Sequence, residues 1–294
     1  MSLRLDMLRA AARARRLRPD AARRIARFLQ SCAMSDGGFA GRGTASDLYY
    51  TVFGMQGLAA LGQALPSPAT LHYLRQFGDG ASLDLVHLAC LARCWALLDT
   101  DEPAPDVRAA ILKRLEAFRS PDGGYHPTPG ADRGTAYAAF LALGAYEDFQ
   151  TPLPEPAALV RGVRALRTGG GGYANTPGMP QGSSPATAAA IVVLNELGET
   201  VGQDVIGWLA AQMRPDGGWT AMPAVPIADL LSTATAVHAL AVSGASLDEA
   251  RIACLQFVEN LWSDEGGFRG HGFDDHLDCE YTFYGLLALG HLAG

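Results

Sequence analysis

Residues 122–146 read DGGYHPTPGADRGTAYAAFLALGAY: a Gly-Gly-aromatic turn, a loop, then a helix-length segment that is apolar on every side. Glycine accepts positive φ and close backbone approach, which suits it to such a turn. The segment Thr135–Tyr146 has no polar face, and a helix that is apolar all round is buried all round. The phrase returns along the chain. Its turns are Asp36-Gly37-Gly38-Phe39, Asp122-Gly123-Gly124-Tyr125, Gly171-Gly172-Tyr173, Asp216-Gly217-Gly218-Trp219 and Glu265-Gly266-Gly267-Phe268, with a degenerate copy at Gly78-Asp79-Gly80. Ala186–Leu194 is another buried-helix stretch. Residues 105–118 illustrate the segment that precedes a turn: Val107, Ile111, Leu115 and Phe118 form one helical stripe, with Arg108, Lys113 and Arg114 off it.

Aligned on one inner-helix position, the repeats fall at Thr51, Leu88, Thr135, Thr187, Thr233 and Thr282. Two helices in each of six repeats predict outer amphipathic helices around inner apolar ones. An open stack of such pairs exposes its ends, whereas six close into a ring. With no Asn-Gly hairpin and no alternating apolar run, no strand is expected. The predicted fold is all-α, an (α/α)6 toroid with a central cavity.

Composition bounds the rest. The chain has 294 residues, 49% apolar content and a net charge of −7, enough for one large core. We read 1–19 as a basic N-terminal extension and 20–294 as a single toroid domain. Residues 1–30 hold nine Arg against two Asp, so the remainder is strongly acidic. That balance argues against nucleic acid. The Arg-rich start is a solvated helix face or a contact for a helical protein partner or an anionic membrane surface. Five scattered cysteines without a CxxC pair fit a reducing cytosol, and Cys90 and Cys94 read as core residues. The N-terminus has no apolar signal core, and no apolar run reaches membrane-spanning length. The expected location is cytoplasmic, or peripheral to a membrane.

The Gly-Gly-aromatic turns feeding buried helices resemble the repeats of protein prenyltransferase β subunits and of squalene and terpene cyclases. Trp208-Leu209 with Gln212 and Asp216-Gly217-Gly218-Trp219 is similar to the QW-type repeat of those cyclases, with the Gln one position off. Asp278-Cys279-Glu280-Tyr281-Thr282-Phe283-Tyr284-Gly285-Leu286 resembles the last prenyltransferase β repeat, and the resemblance extends over 20–294. It implies an isoprenoid or prenyl-diphosphate ligand in the cavity. In the prenyltransferases an Asp and a Cys of repeat 5 and a His of repeat 6 bind zinc. Those positions hold Asp229, Leu231 and Tyr281 here, so zinc is not expected. The basic residues before the inner helices of repeats 4 and 5 are missing too, since 176–185 and 219–228 contain no Arg, Lys or His. Arg42, Arg133 and Arg269 are the replacement diphosphate contacts to consider. The Asp-x-Asp-Asp acid of class II cyclases is absent: Asp99-Thr100-Asp101-Glu102 follows an inner helix and reads as a loop.

Four before each aligned position stand Asp47, Asp84, Ala131, Ser183, Asp229 and Asp278. Each Asp is first of all a helix cap. In a closed ring, however, the inner N-termini gather at one mouth, so Asp229, Asp278, Glu280, Asp47 and Asp84 form an acidic arc. Tyr50, His87 and Tyr281 stand one turn in. Such an arc could hold a perturbed proton or Mg2+. The inner aromatics Tyr49, Tyr50, Phe53, Trp95, Tyr137, Phe140, Tyr281, Phe283 and Tyr284 suit a polyisoprenoid or another long lipid better than a sugar. No P-loop is present. A prenyl transferase or isoprenoid cyclase and a non-catalytic lipid-binding or protein-interaction scaffold both follow from this pattern.

Overall fold

The computed structural model describes residues 2–17, 19–98 and 100–293; Asp99, singled out above, and Arg18, one of the nine arginines of residues 1–30, lie outside them. Six inner helices, α3 (Leu48–Ala60), α5 (Leu85–Leu97), α7 (Ala136–Asp148), α9 (Ser184–Glu196), α11 (Leu230–Val242) and α13 (Cys279–Leu292), form the wall of a closed ring. Each packs on the next, and α13 returns to α3. Outside them run α2 (Pro19–Ser31), α4 (Ser67–Arg75), α6 (Pro105–Glu116), α8 (Pro156–Arg164), α10 (Gln203–Ala210) and α12 (Arg251–Asn260). The fold is the expected α/α toroid.

The turn phrase is the fastener between repeats. Its first glycine has positive φ, from 89° at Gly123 to 105° at Gly171. A Cβ on Gly37 would lie 2.1 Å from the Ala69 carbonyl of α4, one on Gly217 2.1 Å from the Ala253 oxygen of α12, and one on Gly266 2.4 Å from the Arg24 oxygen of α2. Each turn therefore seats against the outer helix of the following repeat, and the sixth seats against the first. The aromatic after the glycines is buried, and its N–H reaches the aligned threonine. Phe39 donates to Thr51 Oγ1 at 2.9 Å, Tyr173 to Thr187 at 2.9 Å, Trp219 to Thr233 at 2.9 Å and Phe268 to Thr282 at 3.2 Å.

Two expectations need correction. Thr135 is not the third aligned position: it caps α7, its side chain accepting from Ala138 N. The register there moves by four residues, to Ala139. Short antiparallel ladders also occur, β1 (Phe39–Ala40) with β2 (Ser46–Asp47) and β3 (Trp219–Thr220) with β4 (Ala228–Asp229). They are two residues long because they only bring the chain from the turn to the next cap.

α1 (Leu3–Leu17) belongs to neither layer. It packs on α13, α3 and α7 across the C-terminal mouth of the inner ring. Leu3, Met7, Ala10, Ala11 and Ala14 face inward, while Arg9, Arg13, Arg15 and Arg16 face solvent. Gly290 lets α1 approach: a Cβ there would lie 1.9 Å from the Ala10 oxygen. Asp148 anchors the contact, receiving Arg4 Nε at 2.8 Å and Arg93 Nε at 2.8 Å in a nearly dry setting. Among the described residues no helix is long and apolar enough to cross a membrane.

Candidate functional site

The inner-helix caps ring the open mouth. Asp47, Asp84, Asp229 and Asp278 accept from the N–H groups of Tyr49, His87, Ser232 and Tyr281 at 2.6–2.9 Å. Thr135 and Ser183 cap the other two. Capping thus accounts for the recurrence of aspartate, and most of the carboxylates are engaged further. Both Asp229 oxygens are held by Ser232, from its N–H at 2.7 Å and its hydroxyl at 2.8 Å; burial pushes this carboxyl above its usual range. Arg42 reaches Asp278 at 3.0 Å and Asp274 at 2.7 Å. His87 lies 2.8 Å from Asp84 and 3.8 Å from Asp47. Burial opposes ionisation of Asp84, but its bonds from His87 outweigh burial and lower the pKa.

The predicted arc therefore resolves into separate pairs. Tyr281 lies under the Arg42 guanidinium, 5.6 Å from it, and against Gly270. Tyr50 packs on Gly41. Arg133 is exposed and Arg269 half-buried, each in its own repeat's loop. Among the described residues no three His, Cys, Asp or Glu side chains converge as a metal site. The zinc positions do not fit the metal: Asp229 is tied to Ser232, Leu231 lines the cavity with an alkyl chain, and Tyr281 is held above its ordinary value, at about 12, chiefly by burial.

Inside the ring is a cavity of about 450 Å³, within the roughly 300–1,000 Å³ of small-molecule sites. Its wall is Tyr49, Tyr137, Phe140, Tyr284 and small aliphatic residues of α9, and Met7 of α1 faces it. A void of about 60 Å³ continues it towards Phe53 and Cys90. Trp95 and Phe283, expected as lining, are buried in the wall itself. A second cavity, of about 470 Å³, lies outside the ring between α2 and α12 and is bordered by Ile25, Trp262 and Leu289. Of the two, the inner cavity is the one lined by Tyr49, whose backbone N–H bonds to Asp47, and by Leu231.

Glu280 is joined to this cavity through Tyr49, which lines its wall. The Tyr49 hydroxyl donates to the Glu280 Oε1 at 2.5 Å. Burial raises the Glu280 pKa to about 7; the Tyr49 bond and Arg42 lower it, and Asp278 adds to the rise. Burial, with the Glu280 carboxyl nearby, also raises Tyr49 and Tyr284. The result is a carboxyl group raised towards neutral pH and hydrogen-bonded to a side chain that lines an apolar cavity with aromatic faces. Such a group can deliver its proton to an electron-rich carbon, and ring faces stabilise the cation left behind.

Residues 186–292 match the family model of the prenyltransferase alpha-alpha toroid domain. Protein geranylgeranyltransferase-I of Candida albicans, solved with GGPP, superimposes with a TM-score of 0.70 at 14% identity, over 92% of this chain and 90% of that one. The type II terpene cyclase MstE from Scytonema gives 0.64 at 15% identity, over 94% and 96%. The fold is the prenyltransferase and terpene-cyclase toroid. A glycosidase solved with glucose shares it, with a TM-score of 0.63 at 13% identity over 96% and 97% of the two chains, so fold alone does not choose a chemistry. No curated protein matches the chain by sequence.

Sequence reasoning missed three features of this toroid. The closure of the far mouth by α1 had its signal in the apolar positions Leu3, Met7, Ala10 and Ala14, masked by the arginines between them. The Arg4–Asp148–Arg93 anchor joins residues far apart in the chain. His238 and His291 stand on different helices and were not among the candidates, and only the packing of α11 on α13 brings them together.

Proposed function

We propose that this protein holds a neutral polyprenyl compound in the inner cavity and rearranges it by proton transfer from Glu280. The observation that carries the reading is the buried Glu280 carboxyl, which accepts from the Tyr49 hydroxyl at 2.5 Å, Tyr49 being part of the wall of an aromatic cavity. Proton transfer to a carbon–carbon double bond breaks the Glu280 O–H bond, forms a C–H bond and leaves a carbocation for a neighbouring double bond to capture. Loss of a proton from carbon ends the sequence, so the product is an isomer and no co-reactant is consumed. The ligands named for the two solved relatives, GGPP and geranylgeranyl dihydroxybenzoate, support a prenyl chain as the class.

A neutral ligand suits the rim better than a diphosphate. Arg42 is already shared by Asp278 and Asp274, and His87 stands between Asp84 and Asp47. A diphosphate would meet these carboxylates at short range, where each unit charge pair costs on the order of 4 kcal/mol near a protein surface. The same residues give a divalent ion such as Mg2+ no converging ligand set. The test is incubation with geranylgeraniol and with geranylgeranyl diphosphate in deuterated water. The expected result is an isomer of the alcohol carrying one non-exchangeable deuterium, lost in Glu280→Gln. Absence of both binding and turnover for every polyprenyl compound tried defeats the reading. Turnover of the diphosphate alone, dependent on Mg2+, defeats the neutral-ligand part.

The exposed arginines of α1 lie on the opposite side from the open mouth. We take the working location to be cytoplasmic, beside a membrane that supplies the lipid; cell fractionation tests this.

A further inference from the structure

His238 stands on α11 nine residues beyond the Asp229 cap, which at 1.5 Å per residue puts it roughly 13 Å below the rim. It is 4% exposed and lines the inner cavity together with Thr235, Leu287, Tyr284 and Met7. Its Nδ1 lies 2.9 Å from His291 Nε2 on α13. That leaves Nε2 of His238 without a protein hydrogen bond among the described residues. The other polar groups do not supply one: Thr235 Oγ1 donates to the Leu231 carbonyl at 2.7 Å, and Met7 offers only a thioether. Tyr284 lines the same cavity, and among the described residues its hydroxyl makes no hydrogen bond either.

Both imidazoles are neutral. Burial lowers His238 to about 3, with His291 adding to the effect, and burial with Arg13 of α1 lowers His291 to about 4. One proton therefore lies between the two rings, and its position fixes what the cavity meets. When His238 donates to His291, its Nε2 presents a lone pair. When it accepts, Nε2 carries a hydrogen. The bridge is kept in either tautomer, so Nε2 can accept or donate.

From this geometry, and resting on the prenyl-cavity reading above, we propose that His238, oriented by His291, recognises an oxygen at the buried end of the ligand. The ligand class is then an oxygenated polyprenyl compound, carrying a hydroxyl or carbonyl at the end that enters the cavity first. A hydroxyl pairs with either tautomer, and a carbonyl selects the one in which Nε2 donates. A charged end is excluded, because neither imidazole nor the surrounding alkyl groups compensates its desolvation.

The experiment compares the affinity of the full chain for geranylgeraniol and for the hydrocarbon in which its CH2OH is CH3. One hydrogen bond between neutral groups corresponds to a preference of about tenfold for the alcohol. His238→Leu, which keeps the volume, is expected to bring the two affinities together, and His291→Phe to reduce the preference. If either variant fails to fold, imidazole ¹⁵N resonances of the unmodified protein provide the second measurement: the alcohol shifts the His238 Nε2 signal and the hydrocarbon does not. Equal affinities in the unmodified protein overturn the proposal and leave the prenyl cavity standing. A preference lost in Glu280→Gln but kept in His238→Leu also overturns it, by moving the oxygen to the rim. Binding of neither compound counts instead against the prenyl-cavity reading on which the proposal rests.

Discussion

Replacing Glu280 by glutamine should stabilise the protein at alkaline pH while removing its proposed chemistry. The carboxyl rises from 4.5 to about 7 on folding chiefly because it is buried. At 1.36 kcal/mol per unit, the difference is about 3 kcal/mol. The sign follows from which state binds the proton more tightly. The folded state does, so this group's contribution is full below pH 4.5 and is lost as pH rises through about 7. Glutamine accepts the Tyr49 hydroxyl in the same way and has no charge to desolvate. At about 2.1 cal/mol/K per residue, a chain of this length has an unfolding entropy near 0.6 kcal/mol/K, so about 3 kcal/mol corresponds to about 5 °C. Thermal unfolding of both proteins from pH 4.5 to 8.5 gives the answer. Glu280→Gln is expected to melt about 5 °C above the unmodified protein at pH 8.5, the gap shrinking toward acid. Glu147, also raised to about 7 by burial, is present in both proteins and cancels in the difference. A gap that does not change with pH refutes the buried-acid reasoning.

Three more outcomes follow. Tyr49→Phe removes a hydrogen bond that favours the Glu280 carboxylate, so the alkaline limb of the pH–rate profile should move to higher pH; a move to lower pH contradicts the assignment. Asp148→Asn leaves Arg4 and Arg93 without a counter-charge in a buried setting, and denaturant unfolding should show a loss of roughly 3–5 kcal/mol. Gly290→Ala forces a methyl against the Ala10 carbonyl; the expected cost is roughly 1–3 kcal/mol, with faster amide exchange confined to Leu3–Leu17 and its contacts.

The toroid was legible because its determinants are local and repeated. A glycine at positive φ, an aromatic two residues on and a threonine further along each do one job, and five near-copies make the pattern redundant. Even the misplaced Thr135 had a local cause, since a capping threonine and an aligned threonine look alike in sequence and only the start of α7 separates them. The site is less legible because its properties are relational. Asp47, Asp84, Asp229 and Asp278 share a position, and that position is explained by capping. Glu280 stands out only once the Tyr49 hydroxyl and the depth of burial are known, although its place in the first turn of the last inner helix put it among the candidates. The His238–His291 pair depends on the pitch of two neighbouring helices, which no spacing within either helix encodes.

The two titratable features of the cavity also fix the direction of the ligand. α1 covers the C-terminal mouth, so entry is by the rim, and the end that passes Glu280 first is the end that reaches His238. If the oxygen is read at depth, the part of the chain left beside Glu280 lies seven helical residues, roughly 10 Å, from it along the axis. The double bond within reach of the acid is then an internal one, beyond the unit that bears the oxygen. For geranylgeraniol in deuterated water, deuterium should appear on an internal isoprene unit beyond the oxygen-bearing one, and mass-spectrometric fragmentation of the product locates it. His238→Leu weakens the preference for that orientation, so a fraction of the label should move toward the oxygenated end. Deuterium confined to the oxygen-bearing unit in the unmodified protein would mean that the chain enters hydrocarbon end first, and that the oxygen faces the rim acids instead of the histidine pair.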